Sequence, residues 1–217
     1  MKTEYLDLHR MDCMELMARY PDKHFDLAIV DPPYGSESDA TKTFTSNSKN
    51  RAAERKQYKQ FKNSQPKAEY FQELKRVSKE QIIWGVNFYN TFDLSGGRIV
   101  WDKKGTAFGR AEMAYYSKSK SVNIVEIEWN GMLQSDMKNK EIRIHPTQKP
   151  VRLYDWLLSK YAEKGQKILD THMGSGSIAI ACHYFGAYLT ASELDEDYFN
   201  AACERIERET RQQTLFA

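Results

Sequence analysis

Between residues 166 and 195 the chain alternates in a way that few folds accept. Gln166-Lys167-Ile168-Leu169-Asp170 is a short apolar run ending in an acid, and Thr171-His172-Met173-Gly174-Ser175-Gly176-Ser177 follows at once. A helical run from Ile178 to Phe185 comes next, with Gly186 as its cap, and then a strand, Tyr188 to Ser192, that ends in Glu193-Leu194-Asp195. Strand, glycine turn, helix, strand and acid make a nucleotide-binding βαβ unit, which requires parallel strands joined by a helical crossover. Gly174 and Gly176 let the backbone come close to a ligand, and Ser177 stands at a helix N-terminus whose dipole favours a carboxylate or phosphate. Glu193 is placed to take two ribose hydroxyls. On these features alone a nicotinamide-dependent enzyme is a live rival, because Gly174-Ser175-Gly176-Ser177-Ile178-Ala179 fits the relaxed Gly-x-Gly-x-x-Ala fingerprint, but the unit's place at residues 166 to 195, behind most of the chain, argues against it.

A second constraint lies near the N-terminus. Leu27-Ala28-Ile29-Val30 reads as a buried strand and stops at Asp31-Pro32-Pro33-Tyr34. Proline cannot continue a ladder and pushes the preceding residue into an extended conformation, so these four residues form a rigid loop at a strand's carboxyl end. In open α/β sheets that is where ligands bind. One carboxylate, carbonyls without matching amide donors and one aromatic ring suit an exocyclic amino group on a planar base.

The remaining elements follow from periodicity. Tyr5 to His9 alternates as a half-buried strand, and Cys13, Leu16, Met17 and Tyr20 fall at helical spacing behind Asp12 as N-cap. Pro66 opens a helix with Tyr70, Phe71, Leu74 and Val77 on one face. Gln81 to Val86 and Arg98 to Lys103 are strands; Asn87 to Asn90 stand beside the base pocket, with Phe88 assigned to core packing. Ala111 to Tyr116 and Val122 to Trp129 read as an antiparallel pair at a sheet edge. Pro150 opens a helix with Val151, Tyr154, Leu157, Leu158 and Tyr161 as its stripe, and Tyr198, Phe199, Ala202 and Ile206 are the inner face of a last helix.

Two stretches are polar and basic instead. Between Lys42 and Lys67 there are eight basic residues (Lys42, Lys49, Arg51, Arg55, Lys56, Lys59, Lys62 and Lys67) against one acid, Glu54, with Tyr58 and Phe61 interleaved. A solvated excursion accounts for such a loop; a phosphate-gripping loop beside the Asp31 pocket accounts for its position as well. Residues 130 to 144 are the second stretch, with Lys138 and Lys140.

At 217 residues the chain is expected to be one domain, 1–217, with insertions at about 35–65 and 130–145 and a tail, 211–217. Net charge is only +2, so nucleic-acid binding has to come from charge distribution. No apolar run reaches membrane-spanning length and the first residues lack a signal-peptide core, so no membrane partner is expected and a cytoplasmic setting is. Cys13, Cys182 and Cys203 are far apart with no CxxC spacing, which suggests neither zinc nor disulfides.

Asp31-Pro32-Pro33-Tyr34 resembles the catalytic motif of S-adenosylmethionine-dependent DNA amino-methyltransferases, chiefly those acting on adenine N6. His145-Pro146-Thr147-Gln148-Lys149-Pro150 resembles that family's His-Pro-Thr-x-Lys-Pro segment, and Asp170-Thr171-His172-Met173-Gly174-Ser175-Gly176-Ser177 resembles its Asp-Pro-Phe-x-Gly-Ser-Gly-Thr cofactor motif, with Thr171-His172 in place of Pro-Phe. The order, catalytic motif before cofactor loop, resembles the β-group, and a phage or prophage source goes with it as an expectation. The resemblance implies a doubly wound, mostly parallel α/β sheet of the Rossmann-like methyltransferase type with an antiparallel edge. It implies Asp31, Pro32, Pro33 and Tyr34 as catalytic residues. It implies S-adenosyl-L-methionine held by Asp12, Cys13, Asp31, Thr147, Lys149, Asp170, Met173, Gly174, Ser175, Gly176, Ser177 and Glu193, with no metal. Double-stranded DNA is the implied partner, reached by Lys42, Lys49, Arg51, Arg55, Lys56, Lys59, Lys138 and Lys140, and a homodimer goes with it.

Cytosine N4 as acceptor, an RNA substrate and a catalytically silent nucleic-acid-binding relative stay open. Gln212-Gln213-Thr214-Leu215-Phe216 also resembles the short peptides that dock on bacterial sliding clamps; the alternative is a final turn folded onto the domain.

Overall fold

The computed structural model describes residues 1–35, 64–89, 95–104, 109–129 and 133–211. Among these residues there are eight strands and five α-helices: β1 (Leu6–Arg10), α1 (Cys13–Ala18), β2 (Phe25–Val30), α2 (Ala68–Val77), β3 (Ser78–Trp84), β4 (Gly97–Asp102), β5 (Ala111–Tyr116), β6 (Val122–Glu126), α3 (Val151–Tyr161), β7 (Lys167–Asp170), α4 (Ser177–Phe185), β8 (Tyr188–Glu193) and α5 (Glu196–Arg211). A short 3-10 turn, Val86–Phe88, follows β3.

The strands form one sheet in the order β1-β8-β7-β2-β3-β5-β4-β6. β1, β8, β7, β2 and β3 pair in parallel. The strand contacts alternate faces as a pleat demands: Ile82 and Trp84 lie in one apolar cluster with α3, α4 and the inner face of α5, while Ile83 lies in the other with α1 and α2. This is the doubly wound, mostly parallel α/β sheet that the sequence implies.

The expected edge pair is not formed. β4 lies between β5 and β6, antiparallel to β5 and parallel to β6. β5 also pairs antiparallel with β3, so the reversed strand sits two places in from the edge. The segment between β5 and β6 crosses over β4 instead of folding into a hairpin: Arg98 N bonds Ser121 O at 3.0 Å, and Gly97 sits where a side chain would strike the Ser121 and Ser119 carbonyls at 2.5 and 2.6 Å.

β7 leads through α4 to β8 on one side, and β2 leads through α2 to β3 on the other. Strand order therefore reverses between β7 and β2. The crevice above such a switch point is the natural ligand site of an open α/β sheet. No helix among the described residues is long and apolar enough to cross a membrane.

Candidate active site

Asp31 to Tyr34 leave the carboxyl end of β2 at this switch point. Tyr34 OH donates to Asp31 Oδ1 at 2.5 Å, and Lys149 Nζ donates to Asp31 Oδ2 at 2.5 Å and to Tyr34 OH at 3.2 Å. Tyr89 OH donates to the Pro32 carbonyl at 2.6 Å. The loop is thus held from three sides, by its own tyrosine, by the segment after His145 and by Tyr89 behind the 3-10 turn that follows β3. Burial is the largest influence on Asp31 and raises its carboxyl, with Lys149 pulling the other way. Burial also raises the Tyr34 hydroxyl, which stays protonated and donates.

Phe88 does more than fill the core. Its ring stacks on Tyr34, with centroids 5.0 Å apart and planes at 13°. Gly85 makes room for this arrangement: its φ is +73°, and a Cβ there would lie 2.1 Å from Tyr34 Cε1. The 3-10 turn after β3 and the Asp31 loop are fitted to each other at that glycine.

The glycine turn lies across the crevice, at the end of β7. Gly174 N donates to Glu193 Oε2 at 3.0 Å, and Asp195 N donates to Glu193 Oε1 at 3.0 Å, so the acid at the end of β8 braces the turn and keeps lone pairs for further donors. Asp170 is buried and accepts from His172 N at 3.0 Å. Burial pushes its carboxyl up to about 8, and the Asp31 and Glu193 charges push the same way. Burial raises Glu193 too. Met173, Ser175 and Ser177 are buried in the turn, with Ser175 and Ser177 hydroxyls 3.1 Å apart. Thr171 Oγ1 lies 2.6 Å from Tyr70 OH, and its neighbour His172 is held by burial down to about 4, a neutral imidazole at pH 7.

Asp12 follows β1 by two residues, close to the end of β8, since Arg10 and Glu193 are register partners and Met11 N bonds the Glu193 carbonyl at 3.2 Å. Its carboxylate caps α1, accepting from Met14 N at 2.8 Å. Cys13 follows, its thiol pushed up to about 12 by burial and by Asp12. Thr147 stays on its own segment, its hydroxyl 3.0 Å from His145 Nδ1. His145 packs against Tyr198 with ring centroids 4.3 Å apart and lies 3.6 Å from where a Gly174 Cβ would stand.

The fold brings Asp12, Asp31, Lys149, Asp170, the Gly174 turn and Glu193 to one end of the sheet. Lys138 and Lys140 are exposed on a turn built around Asp136, whose carboxylate accepts from Lys138 N and Asn139 N at 3.0 Å. Lys42, Lys49, Arg51, Arg55, Lys56, Lys59 and the tail segment Gln212-Phe216 lie outside the described residues.

Two charged residues join the site without a motif. Glu112 of β5 lies 2.9 Å from Lys149 Nζ. Its register gives it away, because Glu112 shares a strand face with the buried Ala114 and Tyr116. Arg205 of α5 is 1% exposed; it donates to Ser175 O at 3.1 Å, to Ser177 Oγ at 2.9 Å and to Glu141 Oε2 at 2.7 Å. It falls on the helical stripe of Tyr198, Ala202 and Ile206, which is the available signal. Arg205 ties the glycine turn to the segment leading into His145. Among the described residues no group of three or more His, Cys, Asp or Glu side chains is arranged to hold a metal.

Residues 99–204 match the model of the N6/N4 DNA methylase family. Over 71 residues the chain is 31% identical to the type II methyltransferase M.HpaI of Haemophilus parainfluenzae, a stretch covering 33% of this chain and 23% of that protein. Two solved structures share the fold. The PvuII DNA methyltransferase, described as cytosine-N4-specific, matches with a TM-score of 0.62 at 12% identity over 97% of this chain and 92% of that one. The M1.HpyAVI–SAM complex matches with a TM-score of 0.55 at 19% identity over 92% and 99%.

Proposed function

We propose that this chain is an S-adenosylmethionine-dependent DNA methyltransferase of the N6/N4 family, and that its acceptor is the exocyclic N6 of an adenine turned out of the duplex. The observation that carries the reading is the acid-rich crevice: Asp31, Asp170 and Glu193 stand at the ends of β2, β7 and β8, all raised by burial, around a glycine turn. Such a set fits a cationic ligand whose ribose and amino acid parts need acceptors, and S-adenosylmethionine carries a sulfonium and an ammonium. The family match over residues 99–204 and the likeness to a methyltransferase–SAM complex support the same cofactor.

In this reading Glu193 takes the ribose, Asp12 and Cys13 face the adenine edge, and Asp170, Met173, Gly174, Ser175, Gly176 and Ser177 hold the methionine part, with Thr147 on its carboxylate side; the Lys149 ammonium, assigned to that side by the resemblance, is already engaged by Asp31, Tyr34 and Glu112. Bound S-adenosylmethionine supplies a methyl group on sulfur that leaves a neutral thioether behind. The chain supplies acceptors. An adenine amino group is a poor nucleophile because its lone pair is delocalised into the ring. Asp31 and the Pro32 carbonyl accept its hydrogens, draw the nitrogen toward tetrahedral geometry and offset the positive charge that grows as the N–C bond forms. The proton leaves after transfer. Tyr34 holds the extruded base by stacking, since the amino group is closed to in-line attack inside a helix.

Double-stranded DNA is the partner, gripped by the basic residues between Lys42 and Lys59 and by Lys138 and Lys140. A cytosine-N4 acceptor is the second reading, favoured by the likeness to a cytosine-N4-specific enzyme; the aspartate at position 31 favours adenine.

The test is purified protein with labelled S-adenosylmethionine and unmethylated genomic DNA, read by nucleoside mass spectrometry, with Asp31→Ala as control. N6-methyladenine that disappears in the variant supports the proposal. N4-methylcytosine keeps the mechanism and moves the acceptor. Cofactor binding without any methylated nucleoside overturns it.

A further inference from the structure

Lys149 is 3% exposed and its ammonium meets three oxygens: Asp31 Oδ2 at 2.5 Å, Tyr34 OH at 3.2 Å and Glu112 Oε2 at 2.9 Å. Two of these contacts are hydrogen bonds, to Asp31 and Tyr34, while Glu112 is an ion-pair partner whose Oε2 is buried without a hydrogen bond of its own. The remaining walls are aromatic, with the Trp84 ring 5.3 Å and the Tyr34 ring 5.7 Å away. Each oxygen of Asp31 already accepts one strong hydrogen bond, from Tyr34 and from Lys149, in the absence of any substrate. An amino donor that reaches Asp31 shares an oxygen with one of them and competes with that bond for the carboxylate's charge. A buried ammonium does not leave its anion unless a second anion receives it, because an uncompensated buried charge is strongly unfavourable.

Glu112 is placed to be that second anion. It comes from β5, the reversed strand, and its other oxygen is bonded by Lys103 at the end of β4. Burial works against its charge, yet Lys149 and Lys103 hold its carboxyl down to about 2, so it is a permanent anion at neutral pH. We propose that Glu112 is a positioning residue that gives Lys149 a second seat, so that the ammonium leans from Asp31 to Glu112 when an amino donor takes Asp31 Oδ2. The proposal rests on the methyl-transfer reading above for its substrate, but the Lys149 seat itself does not. The charged and titratable groups around Asp31 are Tyr34 on its own loop, Tyr89 after β3, Lys149, Glu112, Asp170 at the end of β7, and the hydroxyls of Tyr70 and Tyr154 on α2 and α3.

Glu112→Gln keeps the shape and removes the charge; Glu112→Asp keeps the charge with a shorter reach. Two readouts are taken on full-length protein. The first is the pH profile of methyl transfer to DNA, with kcat, KM and cofactor Kd separated. The second is the NMR titration of the Asp31 carboxyl carbon in protein alone. Without the Glu112 charge, Asp31 is the one anion left against Lys149. Glu112→Gln then lowers kcat on the order of tenfold to a hundredfold with cofactor Kd within about twofold. The acid limb and the Asp31 titration both move to lower pH, because a neighbouring negative charge has gone. Glu112→Asp restores part of kcat. An unshifted Asp31 titration overturns the proposal, as does a loss of kcat matched by an equal loss of cofactor binding and melting cooperativity, which marks scaffolding alone. Wild-type protein inactive on every nucleic acid overturns the methyl-transfer reading instead, and the NMR titration still decides whether Glu112 and Asp31 share Lys149.

Discussion

Lys149 Nζ lies 2.5 Å from Asp31 Oδ2, although 118 positions separate the two residues. The contact closes the crevice between the Asp31 loop and the segment that precedes α3. Lys149→Met leaves Asp31 and Glu112 buried around an absent cation. Breaking a buried pair from one side costs about 3–5 kcal/mol, and this loss is expected in urea unfolding at pH 7. It shrinks in acid, where Asp31 takes up a proton. A variant as stable as wild type at pH 7 contradicts the role given to the pair.

Gly85 admits the Tyr34 ring. With φ at +73° and a Cβ position 2.1 Å from Tyr34 Cε1, Gly85→Ala strains the backbone and moves the ring together. The left-handed conformation alone costs about 1–2 kcal/mol. The larger effect is expected on chemistry: on the order of a hundredfold in kcat, since Tyr34 loses both Asp31 and Phe88, with cofactor Kd little changed. Kinetics beside calorimetric cofactor titration measure it, and an active Gly85→Ala enzyme removes Tyr34 from the reaction.

Asp12 has two candidate roles that two substitutions separate. Asp12→Ala removes the α1 cap and is expected to cost about 1 kcal/mol of stability. Asp12→Asn keeps a capping oxygen and is expected to melt like wild type. If Asp12 also meets the cofactor's adenine edge, both variants weaken cofactor binding by about fivefold to tenfold. Wild-type affinity in Asp12→Asn leaves only the cap.

Asp170 should leave a signature in the pH dependence of stability. Burial pushes its carboxyl up to about 8 in the folded chain, well above the ordinary carboxylate range that it has when unfolded. Between the two the unfolded chain has released the proton and the folded chain has not, so this group lowers stability as pH rises. Asp170→Asn keeps an oxygen for His172 N and abolishes the effect. The variant's advantage in melting temperature is expected to grow from pH 4 to pH 8. His145 and His172, both held near 4, act in the opposite direction in both proteins and cancel in the comparison. Parallel curves for the two proteins rule this out.

Much of the architecture is local and was legible. The run into Asp31-Pro32-Pro33 had to be a strand that ends there, because alternation and apolar length make the strand and proline stops it. The same holds for β7, the Gly174 turn and α4. Helix stripes such as Tyr70, Phe71, Leu74 and Val77 record one buried face, and all four are buried. The order of β5, β4 and β6 was not legible, since a pattern of alternating side chains does not name its partner strand. By sequence Phe88 is a core residue, because an aromatic after a buried strand usually is, and it does pack against the core; only the fold also puts a tyrosine ring 5.0 Å from it.

The chain by itself determined which segments become strands and helices and which loops lie at strand ends, because these follow from periodicity, proline and glycine within a few residues. Tertiary structure alone decided that Lys149, Glu112 and Asp31 share one charge cluster, and that Arg205, in a run of ordinary helix charges, is buried against the glycine turn. Coulomb forces and burial depend on distance through space, and sheet order sets that distance for residues that sequence keeps far apart.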